Sequence, residues 1–173
     1  MYIFVPTLSG RATDAYGGRW IEFFGVLGPC ILAAITPFVV NTFGVTGLII
    51  NRTLLGAFHG CVYPAVFSLF VKWFPKEERS YANGALVFGG AMGSTIFYSL
   101  AGYLCDTKYG WPMVFYVLAL FHVPFLILWY IYATNEPKTN ARISEDELHY
   151  IQSNVQQKVI SVSYLFLILF LME

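Results

Sequence analysis

The sequence predicts an all-α membrane protein with four full transmembrane helices and partial helices beside them. Three observations carry that prediction. Of 173 residues, 57% are hydrophobic and 12% charged, whereas a soluble domain holds about 25% charged and 45–50% apolar residues. The ten Lys+Arg and ten Asp+Glu are clustered, which leaves long uncharged runs. The basic residues also alternate from loop to loop, as they do where helices are oriented in a bilayer. The apolar content excludes disorder. A formal net charge of zero leaves no basic surplus to neutralise phosphates, so no nucleic acid is expected as a partner. Cys30, Cys61 and Cys105 are odd in number and set in apolar runs, which makes neither a disulfide framework nor a metal pattern.

The uncharged runs place the spans. There are 29 such residues between Glu22 and Arg52, 19 between Arg52 and Lys72, 26 between Arg79 and Asp106, and 27 between Lys108 and Glu136. Crossing a hydrocarbon core of about 30 Å takes roughly 20 residues at a rise of 1.5 Å each. Spans are therefore expected at about 20–40, 44–70, 81–104 and 112–133. They must be helical, because lipid offers no partner to a bare backbone group. Pro29, Pro37, Pro64 and Pro124 fall inside them and are tolerated as kinks. Trp20, Trp73, Trp111 and Trp129 stand near proposed ends, where an amphipathic ring prefers the interface.

Two shorter apolar stretches flank the set. Met1–Leu8 reads as the tail of a helix whose start is missing, and 159–173 as an aberrant apolar tail. Basic residues concentrate in segments 9–19 (Arg11, Arg19), 71–80 (Lys72, Lys76, Arg79) and 135–158 (Lys138, Arg142, Lys158). The intervening loops hold none at 41–43 and only Lys108 at 105–111. The basic set is expected in the cytoplasm. Segment 135–158 reads as a cytoplasmic linker. Within it, Ser144 ahead of Glu145, Asp146 and Glu147 forms a helix-start signal for a short helix to about Val155.

Two segments carry candidate chemistry. Gly10 through Arg19 reads as a tight cytoplasmic turn, with Gly17 and Gly18 free to take positive φ and Asp14 able to cap a helix or pair with a base. Inside the second span stands Arg52. An intramembrane Arg costs at least about 2.5–3.5 kcal/mol and is functional by default. Gly56, His59, Gly60 and Tyr63 follow it on one helical stripe, with Arg52 and His59 roughly 10 Å apart along the axis. The Arg is open to anion binding, structural pairing or snorkelling. His59 is open to proton coupling or simple packing. A second stripe, Ala85, Gly89 and Gly93, suits close helix packing in the third span, as Gly56 and Gly60 do in the second. The Asn51-Arg52-Thr53 sequon lies within the membrane and is discounted. No catalytic pair, metal cluster or phosphate-cradling loop appears, so no enzyme is expected.

Gly10, Asp14, Gly17, Gly18 and Arg19 resemble the cytoplasmic loop between helices two and three of the major facilitator superfamily, although Ala15 stands where a basic residue is common. Arg52 through Pro64 resembles helix four of the anion:cation symporter family within it, which includes vesicular glutamate transporters, sialin and sodium-phosphate cotransporter-like proteins. Lys72-Trp73-Phe74-Pro75, Gly110 through Tyr116, Glu136-Pro137 and Ile143 through Ile151 extend the resemblance over about residues 9–155. It implies part of the N-terminal half of a major facilitator fold, with residues 1–134 as a partial six-helix half. It also implies alternating-access transport of an organic or inorganic anion. Arg52, His59 and Tyr63 would bind substrate, and Asp14 and Arg19 would serve a gating charge network. His59 replaces the Glu of glutamate and sialate carriers. No organic cofactor is implied, and the coupling ion is sodium or a proton. Twelve spans need at least ~240 residues, so the resemblance implies a chain inactive alone, with the second half of the transporter missing. The expected partners are a small anionic solute and the lipid bilayer. The competing expectation is a non-transporting four-helix scaffold or assembly protein.

Overall fold

The computed structural model describes residues 4–155, all of them in helices, turns and connecting segments. The expected apolar tail at 159–173 lies outside the described residues, as do the first three residues of the Met1–Leu8 stretch. Helix α1 spans Phe4–Tyr16, α2 Gly18–Trp73, α3 Arg79–Cys105 and α4 Trp111–Tyr132. A single 3-10 turn, Pro137–Thr139, then leads to α5, Glu145–Val155.

Most of the segment expected to turn between 9 and 19 is helical. Ser9 and Thr13 are buried, and each hydroxyl donates to a carbonyl of the preceding turn, Pro6 O at 3.0 Å and Ser9 O at 2.7 Å. That back-bonding lets small polar residues sit within a helix. The break is confined to Gly17, at φ 87 and ψ 147. Gly18 is helical and buried, and it serves close approach instead of a turn. A Cβ there would stand 2.8 Å from both Ala65 O and Leu69 Cγ.

The 56 residues of α2 would extend about 84 Å if straight, far more than a bilayer core. They fold back at Gly44, whose φ of 59 and ψ of −141 are non-helical. Residues 18–43 form a first arm and 45–73 a second, with the reversal at Gly44 in place of the loop expected at 41–43. The close approaches run antiparallel: Gly18 meets Ala65 and Leu69, Gly25 meets Cys61 and Val62, and Gly47 meets Val39. Asn51 Nδ2 donates across the hairpin to Leu32 O at 3.3 Å. Glycine and alanine at these crossings let the backbones approach, which supplies the dispersion contacts that hold helices together where lipid removes the hydrophobic drive.

Helix α4 packs along the first arm and buries Ala119 and Leu126. Cys30 Sγ reaches Ala119 O at 3.5 Å, and Trp129 Nε1 donates to Arg19 O at 3.0 Å. Between α2 and α3, Pro75 is fully buried and accepts from Glu78 N and Arg79 N. The Arg79 guanidinium donates back to Phe74 O at 3.0 Å and Val71 O at 2.9 Å, placing a cation on the carbonyl end of α2. Helix α3 has no buried residue, and nothing lies within 4 Å of the missing Cβ at Gly84, Gly89, Gly90, Gly93 or Gly102. The Ala85–Gly89–Gly93 stripe thus meets no neighbour among the described residues. Helix α5 begins where Glu147 N donates to Ser144 Oγ at 3.2 Å. It buries Ile151 and ties down through Tyr150 Oη, which donates to Glu78 Oε1 at 3.1 Å.

Among the described residues, three helices (Gly18–Trp73, Arg79–Cys105 and Trp111–Tyr132) are long and apolar enough to cross a membrane. The first is a hairpin, and its two arms each have the length a single crossing takes.

Candidate functional site

The site is built on the second arm of α2. Residues 52, 59 and 63 recur at seven and four positions along a continuous helix, so their side chains share one face. Arg52 lies beside α4, its guanidinium carbon 5.1 Å from the centre of the Phe115 ring. No carboxylate pairs with it among the described residues. A cation over an aromatic ring is worth about 0.5–1 kcal/mol when exposed and about 2 when desolvated. Placing the charge in the membrane costs at least about 2.5–3.5 kcal/mol. The ring therefore orients the guanidinium without offsetting the whole cost, and its hydrogen-bond donors stay available. His59 is half-buried two turns on, and Tyr63, 54% exposed, stacks on Phe67 with centroids 6.2 Å apart. The face offers an anion a forked donor at Arg52, with an imidazole about 10 Å and a phenol about 16 Å further along the axis.

The small residues of this arm divide. Gly60 receives α1, a Cβ there coming within 3.0 Å of Val5 Cγ1, whereas Gly56 has open space. Gly60 is a packing position in this structure. Gly56 leaves room beside Arg52 and His59.

The Gly10–Arg19 motif assembles a different contact from the one expected. Arg19 Nη2 donates to Tyr130 O at 2.8 Å, and Arg19 N donates to Asn135 Oδ1 at 2.9 Å. The guanidinium also lies 5.1 Å from the Trp20 ring and 5.9 Å from that of Tyr130. A Cβ at Gly17 would overlap the Asn135 side chain, so glycine there answers both its positive φ and this neighbour. Arg19 thus fastens the start of α2 to the carbonyl end of α4, a favourable place for a cation. Asp14 is exposed and is not brought to Arg19. Gly10 is helical with open space around it.

One buried carboxyl stands outside the motifs that the sequence marks. Glu22 was only the edge of an uncharged run, but it is 4% exposed and its Oε2 has no partner among the described residues. A buried, under-satisfied carboxyl is costly and warrants a reason. Its burial comes from the packing of the helices, which composition along the chain does not reveal.

The sequence matches the description Major Facilitator Superfamily over residues 1–172. It is 30% identical over 157 residues to an uncharacterized transporter, slc-17.2, of Caenorhabditis elegans, covering 90% of this chain and 32% of that one. It is 30% identical over 160 residues to sialin of Homo sapiens, covering 92% and 32%. It is 34% identical over 159 residues to sodium-dependent phosphate transport protein 1 of Homo sapiens, covering 92% and 34%. The chain spans about a third of the length of these curated relatives.

Proposed function

The chain belongs to the major facilitator superfamily, and on that premise we propose that it contributes one wall of a secondary carrier for small organic or inorganic anions. It is an integral, multi-pass membrane protein. In the proposed mechanism Arg52 holds the anionic group by charge-assisted hydrogen bonds. His59 and Tyr63 line the same path, and a cation gradient, of sodium or of protons, drives an alternating-access cycle. Further membrane segments complete the path, and the chain alone does not transport. Arg19, by joining α2 to α4, keeps the cytoplasmic ends of the bundle moving as one body.

The observation that carries this reading is Arg52: a guanidinium within a spanning helix, oriented by Phe115 and without a carboxylate partner among the described residues. A structural ion pair would have supplied the counter-charge, and the ring alone does not offset the cost. Inorganic phosphate serves as the probe, since a relative's name specifies phosphate. The full chain, in lipid nanodiscs, is treated with an arginine-directed dicarbonyl reagent and modification is read by peptide mass spectrometry. Phosphate should slow modification at Arg52 and leave Arg11 unchanged. Equal rates at Arg52 with and without phosphate would favour the non-transporting scaffold.

A further inference from the structure

A cavity of about 820 Å³ lies where the ends of α2 and α4 meet α5. Arg52 itself lies more than four turns away along α2, and Tyr63, the near end of its stripe, less than two turns from Leu69. The cavity's size falls within the roughly 300–1,000 Å³ range of ligand pockets. The walls are apolar and aromatic, with Leu69, Trp73, Leu128 and Trp129 among them. Trp73 ends α2 and Trp129 lies in the last turn of α4, at the depth where indoles mark the membrane–water boundary. The cavity therefore opens at the headgroup level of the cytoplasmic side.

Its rim is charged in a particular way. Arg142 stands over the Tyr132 ring at 4.4 Å. Glu78 accepts the Tyr150 hydroxyl, and Glu147 adds a second carboxylate to the lining. Thr134 Oγ1, also in the lining, is buried without a partner among the described residues. One guanidinium beside one ring, and two carboxylates with a phenol, form a charge pattern of both signs above an apolar cleft.

We propose that this cavity is a phospholipid site selective for a zwitterionic head group bearing a primary ammonium. The acyl region occupies the apolar walls, the phosphate pairs with Arg142, and the ammonium lies with Glu78 and Glu147. The Glu78 carboxylate keeps free lone pairs after accepting from Tyr150, and the aromatic faces favour a cation. Thr134 Oγ1 gains its missing partner from the phosphate or ester oxygens. An anionic lipid with an uncharged head group would satisfy Arg142 but leave both carboxylates facing a negative ligand, which is why the occupant is a zwitterion. The lipid would wedge α5 against the bundle and hold the linker at the membrane surface.

The test is native mass spectrometry of the full chain in detergent, titrated with phosphatidylethanolamine or with phosphatidylglycerol of the same acyl chains. One phosphatidylethanolamine should be retained per chain, with at least about tenfold preference. Arg142→Gln and Glu147→Gln should each weaken retention about tenfold or more, in line with loss of a charged hydrogen bond. Both positions are exposed, and unchanged helical circular dichroism shows that the variants remain folded. Arg11→Gln should retain lipid like the wild type. Equal retention of the two lipids, preference for phosphatidylglycerol, or wild-type retention by the Arg142 and Glu147 variants would overturn the proposal.

Discussion

Replacing Gly18 by Val tests how the two arms of α2 meet. A Cβ at this position would lie 2.8 Å from Ala65 O and from Leu69 Cγ, and 3.2 Å from Leu69 Cδ2. The Leu69 side chain can rotate. The Ala65 carbonyl belongs to the helix backbone and cannot, so the arms must part. Overpacking of this kind costs about 1–3 kcal/mol. Val has a helix propensity only a few tenths of a kcal/mol better than Gly, which leaves a net loss of roughly 1–2.5 kcal/mol. For a chain of this size that is a fall in Tm of roughly 2–10 °C. The contact also holds Arg19 one residue away, so its bonds to Tyr130 and Asn135 should loosen with it. Thermal unfolding of the full chain in detergent, followed by circular dichroism, reads the effect. Gly56→Val is the control, because a Cβ at Gly56 meets nothing within 4 Å among the described residues, and its Tm should stay within about 2 °C of wild type. Equal shifts for the two variants, or a Gly18→Val chain as stable as wild type, would refute the packing argument.

Arg79→Ala removes the two donors that cover Val71 O and Phe74 O and should cost about 1–2 kcal/mol, visible in the same unfolding assay. Gly44→Val forces a β-branched residue into a positive φ; about 1–3 kcal/mol of strain is expected, with increased protease cleavage near the reversal. The Glu78 carboxylate raises the Tyr150 hydroxyl above its ordinary value of 10.0, first by accepting its hydrogen bond and then by its charge. A group whose pKa rises on folding contributes fully below its ordinary value and loses that contribution as the pH climbs through the raised one. The α5 tether should therefore hold at neutral pH and weaken only above about pH 10. Tyr150→Phe should delete one late-titrating phenol from the ultraviolet pH titration, and an unchanged profile would count against the tether.

The parts legible in the sequence are those that depend on local composition. Long uncharged runs coincide with helices because an apolar run of that length has few other ways to satisfy its backbone in lipid. Ser144 ahead of three acids marks the start of α5, since capping acts within one turn. Arg52, His59 and Tyr63 share a face by period alone. What stayed hidden depends on distance in space. Gly17 and Gly18 look alike as neighbours, yet one takes the positive φ and the other takes a facing backbone. Arg79 reads as a loop cation and is in fact the cap of α2. Glu22 reads as the border of a span, and its burial emerges only when the helices pack. The small-residue stripe of α3 is as regular as that of the hairpin, but periodicity does not say whether a partner is present.

The most direct test of the central claim is an equilibrium binding isotherm for labelled inorganic phosphate on the full chain in lipid nanodiscs, with wild type beside Arg52→Gln. If Arg52 holds the anion, the wild type should bind saturably. The variant, folded and inserted equally well, should bind roughly 10- to 100-fold more weakly, the equivalent of one or two charge-assisted hydrogen bonds. Saturable binding that is equal in the two proteins, or absent from both, would contradict the account.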